Sequence, residues 1–246
     1  MPTVMPSRPP ETIYDTGFHA GRDERTRSSA TKILSHLQEW LEPASVCDVG
    51  CGVGTWLAAA RELGIADVAG FEGPWSQSAN LVVAQSAITI QNLEERIEAP
   101  RTFDLVLCLE VAEHLEQRRA ANFIGDLCKL GDCVLFSAAI PLQGGKGHVN
   151  EQWQSYWAAL FNDHGFTAFD PIRPLIWSDP SVAVWYRQNT LVFARRGSTQ
   201  ADRLHEAGCP EPLMLDLVHP ELFLLAEKGQ PKRAITRAVR NFLGQS

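Results

Sequence analysis

Short, largely apolar runs alternate along this chain with stretches in which apolar residues recur every three or four positions. The runs at 46–49, 67–71, 87–91, 103–109 and 133–136 have the length of strands. The run that closes at 109 is continuous after Asp104, as expected of a strand covered on both faces. Ile33, Leu34, Leu37, Trp40 and Leu41 repeat at helical spacing and predict a helix over 29–41, capped by Ser28 or Ser29 and stopped by Pro43. Trp56, Leu57, Ala60 and Leu63 mark a second helix, which Gly64 ends. A third follows 110–114 and reaches about residue 130. A fourth, over 151–162, places Trp153, Tyr156, Trp157, Leu160 and Phe161 on one face. Two further strands are predicted at 166–169 and 189–194. Strands alternating with helices imply an α/β fold, a mostly parallel sheet with helices on both faces. Right-handed crossovers bring the C-terminal ends of its strands to one edge, where such folds bind ligands. The polar and glycine-rich positions fall at those ends: 50–54, Glu72, Asn92, 110–114 and 137–150.

The two ends of the chain read differently. Residues 1–26 carry prolines and then a charge run, Arg22 to Arg25 with Arg27, and predict a tail that becomes ordered near 14–18. A central domain spans 27–197, and 198–246 forms a helical C-terminal extension. Within it Ala234, Ile235, Ala238, Val239, Phe242 and Leu243 make a stripe opposite Lys232, Arg233, Arg237 and Arg240. That stripe packs on its own domain or across a homodimer, with a membrane surface or nucleic acid as the lesser alternatives. A net charge of −7 argues against a general nucleic-acid binder, though not against a local basic patch. The six cysteines show no metal-ligand spacing and read as free thiols of a cytoplasmic protein. Residues 1–10 have no apolar core, so no signal peptide is expected there. No stretch approaches 18 apolar residues, so no membrane span is expected.

The most informative stretch is 46–57, a strand that opens through Gly50, Gly52 and Gly54 into a helix. Such a turn bares backbone N–H groups at a helix N-terminus. The dinucleotide fingerprint G-x-G-x-x-G does not fit, because the spacing here is G-x-G-x-G. Asp48 would also face a pyrophosphate. A phosphate-binding P-loop fails because no Gly-Lys-Ser/Thr follows. A nucleoside with a zwitterionic, cationic tail suits the residues better. Asp48 matches an ammonium, the glycines permit close approach, and Glu72 at the end of the second strand matches ribose hydroxyls. S-adenosylmethionine has that chemistry.

With Asp48-Val-Gly50-Cys51-Gly52-Val-Gly54, Glu72, and Phe103 through Glu110-Val-Ala-Glu-His114, residues 27–197 resemble a class I S-adenosylmethionine-dependent methyltransferase. The resemblance implies a Rossmann-like sheet of seven strands in the order 3-2-1-4-5-7-6, the last strand antiparallel. It also implies that Asp48, Gly50, Cys51, Gly52 and Gly54 hold the methionine moiety and that Glu72 bonds the ribose. Asn92 and Leu93 stand where relatives often have an acid meeting the adenine amino group. Glu110 is placed near the methionine end of the cofactor.

The acceptor end is less marked. A hydroxyl acceptor needs its proton removed, and imidazole suits that at neutral pH. His148, in the glycine-rich loop 143–150, is the first choice for a base, and His114 the second. Trp153, Tyr186, Arg187 and Asn189 are candidates to line the pocket. His114, His148 and Glu110 could hold a divalent cation, but no compact ligand spacing supports one, so a metal is the lesser alternative and none is assigned. The reading is O-methylation of a small-molecule acceptor, with N-methylation, a macromolecular acceptor and a non-catalytic binding module as alternatives.

Overall fold

The computed structural model describes residues 16–74 and 80–229. The expected order near 14–15, Trp75 and the stripe over 232–243 lie outside the described residues.

Seven strands form one sheet: β1 (Ser45–Val49), β2 (Asp67–Glu72), β3 (Ile88–Ile90), β4 (Leu105–Leu109), β5 (Cys133–Ser137), β6 (Phe166–Phe169) and β7 (Leu191–Arg195). Their order is β3-β2-β1-β4-β5-β7-β6. The first five are mutually parallel, and β7 runs antiparallel to both β5 and β6. This is the Rossmann-like order expected. The helices are α1 (Thr16–Leu41), α2 (Thr55–Glu62), α3 (Ala120–Leu130), α4 (Gln154–Asp163), α5 (Arg173–Ile176), α6 (Val184–Asn189), α7 (Thr199–Glu206) and α8 (Pro220–Gly229).

Strand periodicity explains the layers. Val46, Leu105, Leu107, Cys133, Leu135, Val192 and Ala194 face one apolar cluster, shared with α1, α2 and α7. Their alternates Cys47, Val49, Val106, Cys108, Val134, Phe136 and Phe193 face a second, built with α3 and α4. A sheet buried on both faces needs strands apolar at every position, and β1, β4 and β5 are buried throughout. All six cysteines are buried and unbridged. Among the described residues no helix is long and apolar enough to cross a membrane.

Three element boundaries depart from expectation. α1 begins well before residue 29, so Ser29 is no N-cap. It sits inside the helix, where its hydroxyl donates to the Arg25 carbonyl and accepts from the Ala183 N–H. The segment after β4 is two short 3-10 turns, Ala112–His114 and Gln117–Arg119, before α3 starts. Residues 173–189, interrupted by prolines, fold into the short helices α5 and α6, and β7 starts only at Leu191. The C-terminal extension is helical in α7 and α8 as expected.

Candidate active site

β1, β2 and β4 end side by side, since β1 pairs with both neighbours. The glycine turn leaves β1 at their shared edge. Gly50, Gly52 and Gly54 all have positive φ, which a side chain would strain. They differ in what surrounds them. A Cβ on Gly50 would stand 2.3 Å from a Val111 methyl, and one on Gly54 2.5 Å from a Val83 methyl. A Cβ on Gly52 would meet nothing within 4 Å. Two glycines thus allow the turn to pack, and the middle one faces open space.

Asp48 is 2% exposed, and its Oδ2 has no hydrogen-bond partner. Burial first, and the charge of Glu72 second, hold its carboxyl well above the usual carboxylate range. Glu72 is buried at the end of β2, where one carboxylate oxygen accepts the Gly52 N–H and the other accepts the Gly73 N–H at 2.7 Å. Burial raises its carboxyl, and those two N–H groups offset part of the rise. Cys51 is buried beside Asp48, and burial pushes its thiol up, away from nucleophilic use. These residues fit S-adenosylmethionine: a buried acid lacking a partner at one oxygen, a bare glycine facing open space, and a second acid at the next strand end.

Two further residues assigned to the cofactor have local structural work. Asn92 is exposed, and its side-chain oxygen accepts the Glu94 N–H at 3.1 Å, fixing the turn after β3. The Leu93 side chain is buried in the second core, and its carbonyl accepts from Arg119. Arg119 also reaches the Glu95 carbonyl and pairs with buried Asp126 at 2.7 Å.

On the other side of the turn, β4 ends in Glu110, a non-glycine residue at φ +58. Such backbone costs about 1–3 kcal/mol and persists where its surroundings over-determine it. Here the Glu110 carboxylate accepts from Asn189 at 3.1 Å and from Gln143 at 3.4 Å. Asn189 and Gln188 both donate to the Gln143 side-chain oxygen, so the end of α6 is tied to the loop after β5. Sequence reasoning named Asn189 but gave no role to Gln143 or Gln188, whose partners lie far away in the chain.

Glu113, next along the first 3-10 turn, is fully buried, and neither carboxylate oxygen makes a hydrogen bond. Burial and the nearby charge of Glu110 push its carboxyl up. Its backbone carbonyl accepts from Val149 and Asn150, which fastens the His148 loop to the end of β4. His148 Nδ1 lies 2.9 Å from Glu151 Oε1, and His114 Nδ1 lies 3.3 Å from the Gly147 carbonyl. The two rings stand edge to face with centroids 4.9 Å apart. The structure therefore brings both expected histidines to one place, across β4 from the glycine turn.

It does not bring the rest of the expected lining there. Tyr186 is buried against Trp56, and Arg187 is spent on the Trp177 carbonyl and Glu221, bracing α8. Trp153 is 40% exposed at the start of α4.

Residues 22–177 match the family model described as a methyltransferase domain. No curated protein matches the chain. Among solved structures, it is similar to the sugar N-methyltransferase KedS8 from a Streptoalloteichus species, at 16% identity and a TM-score of 0.59, over 80% of this chain and 99% of that one. DesVI from Streptomyces venezuelae is similar at 16% identity and a TM-score of 0.57, over 77% and 99%. CalS10, an amino pentose methyltransferase from Micromonospora echinaspora, is similar at 14% identity and a TM-score of 0.54, over 74% and 98%.

Proposed function

The chain belongs to the methyltransferase-domain family and is a methyltransferase, and on that premise we propose that it O-methylates a small-molecule hydroxyl, on a metabolite that includes a sugar or is of similar size. The methyl donor in this reading is S-adenosylmethionine, which when bound supplies a methyl group activated for in-line transfer. Asp48 faces its ammonium, the Gly50–Gly54 turn lies along its methionine part, and Glu72 takes the ribose hydroxyls. Asn92 and Leu93 border the adenine, and Glu110 stands near the methionine end.

What the chain adds is alignment and a proton acceptor. Alignment of reacting groups supplies about 7–11 kcal/mol in favourable cases. The observation that carries the choice of oxygen is the pairing of His148 Nδ1 with Glu151. A carboxylate only accepts, so in the neutral ring the proton sits on Nδ1 and the Nε2 lone pair is left for an acceptor hydroxyl. Gly144 and Leu142 also donate to Glu151, at 2.8 and 2.9 Å, so the acid that orients the ring is itself held. His114, edge to face with His148, is the second candidate for the proton.

Calorimetry with S-adenosylmethionine and S-adenosylhomocysteine tests the donor site. Native protein that binds neither ends this reading. A methyl-transfer screen with labelled donor against hydroxylated, amine and glycosylated metabolites then separates oxygen from nitrogen acceptors. His148→Ala is expected to keep donor affinity and lose at least tenfold in turnover, within the usual 10²–10⁴-fold effect of a general base. Turnover that does not change makes His148 a loop residue only.

A further inference from the structure

We propose that Glu113, His114 and His148 form a binding site for one divalent cation of the Mn²⁺, Co²⁺ or Zn²⁺ kind, on the acceptor side of β4. One potential ligand atom from each of the three lies within 4.8 Å of the other two. Ligand atoms around a tetrahedral cation with bonds of roughly 2.1 Å stand about 3.4 Å apart, so the side chains must close in by about 1 Å to hold it.

The second observation is independent of that clustering. Glu113 is 0% exposed, and both of its carboxylate oxygens lack a hydrogen-bond partner. Buried charges in proteins are paired or coordinate metals. No Lys or Arg side chain among the described residues forms a salt bridge with this carboxylate. Glu110 and Glu151 add negative charge around it, which the nearby backbone N–H groups of Glu113 and Ala139 offset only in part. A cation answers both facts at once.

The histidines are prepared for ligation. His148 Nδ1 is engaged by Glu151, and His114 Nδ1 lies beside the Gly147 carbonyl. A carboxylate or carbonyl on one ring nitrogen fixes the tautomer and ring direction that a metal needs at the other. Gly145 closes over His148 without filling that direction. A Cβ there would stand 2.1, 2.3 and 2.6 Å from Nε2, Cε1 and Cδ2, which puts it over the ring face and not along the Nε2 lone pair. Two imidazoles and a carboxylate suit borderline divalent ions, and three protein ligands leave a position open.

That open position gives the site its use, and this part rests on the reading of hydroxyl transfer. A cation held by Glu113, His114 and His148 would lower the pKa of an acceptor hydroxyl. With it bound, His148 would be a ligand in place of the base proposed above, and the hydroxyl proton would pass to solvent. Linear spacing hides the arrangement, because His148 arrives on the loop after β5 and is fastened to β4 by backbone bonds to Glu113.

The test uses the full chain, stripped with EDTA and dialysed, and titrated separately with Mn²⁺, Co²⁺ and Zn²⁺. Calorimetry is expected to give one cation per chain, with Co²⁺ showing the visible absorption of nitrogen ligation. His114→Ala and His148→Ala are each expected to weaken binding at least tenfold, whereas His205→Ala, exposed on α7, binds as the native chain does. Glu113→Gln guards against misfolding as an explanation. Its stripped form is expected to melt at or above the native temperature, while the rise that the cation causes disappears. No stoichiometric binding, or binding that survives in Glu113→Gln and His148→Ala, overturns the site. A cation bound by a chain that methylates no hydroxyl leaves the site standing and removes the reading of hydroxyl transfer. Transfer undiminished in EDTA, with no cation retained, leaves the reading of hydroxyl transfer standing and removes the cation's part in it.

Discussion

Replacing Asp48 with asparagine separates the electrostatics of the donor site from the stability of the fold. The side chain is 2% exposed, its Oδ2 has no partner, and burial and Glu72 together raise its carboxyl. A buried polar group left unsatisfied costs about 1–3 kcal/mol, and carboxyl and amide both leave one here. The ligand-free variant is therefore expected to keep its stability to within about 1 kcal/mol, or about 2–4 °C in melting temperature for a domain of this size. Binding is another matter. Hydrogen bonds to charged groups contribute about 1.5–3 kcal/mol, so S-adenosylmethionine affinity should fall about 10- to 150-fold. The pH dependence has a definite sign. An acid whose folded pKa is raised contributes stability that is complete below its ordinary value and lost as pH rises through the raised one. The ligand-free native chain should lose stability over that rise, and Asp48→Asn should lose less, since Glu72 and Glu113 are raised as well. The ligand's ammonium favours the carboxylate, so the melting shift that S-adenosylmethionine causes should grow with pH in the native chain and stay flat in the variant. Calorimetry and thermal melts across about pH 5 to 8 measure both. Native affinity in a folded Asp48→Asn chain refutes the assignment of the ammonium to this acid.

The glycine turn and the loop beside it give two further tests. Gly52→Arg faces open space, so it should fold at a cost of about 1–2 kcal/mol for its left-handed backbone and fail to bind S-adenosylmethionine in calorimetry. Gly50→Ala should do the opposite kind of damage, because its Cβ meets Val111; about 2–5 kcal/mol of lost stability in denaturant melts is expected from overpacking and strained φ together. Equal stability in the two variants would contradict the packing described. Arg119→Met breaks a buried ion pair and leaves two carbonyls unpaired, so a loss of about 3–5 kcal/mol is expected. Adding Asp126→Leu should recover part of it, and a melting temperature that Arg119→Met leaves unchanged would count against the pair as a structural tie.

The parts of this molecule that were legible in its sequence are those whose cause is local. β4 and most of β5 were readable because burial on both faces demands apolar runs, and 46–57 was readable because a turn with three positive-φ positions demands glycine. Asp48 and Glu72 followed from strand ends meeting at one edge. What failed to show has distant causes. The first turns of α1 carry charge where an apolar period was sought, and Ser29 has the composition of a cap while its partner, Ala183, lies across the fold. α5 and α6 sit among prolines that read as loop. The acceptor side is the extreme case. Glu110, Gln143 and Asn189 come from the end of β4, the loop after β5 and the end of α6, and only their hydrogen bonds make them one network. Glu113 stands in sequence where a helix N-terminus would leave an acid exposed, whereas it is fully buried, in a 3-10 turn, with no hydrogen bond to either carboxylate oxygen. A donor that every relative shares can be held by a local motif, but an acceptor is selected by side chains converging from separate strand ends. On the proposed reading, changing the loop 143–150 should change the acceptor without disturbing the glycine turn, because the two lie at different strand ends.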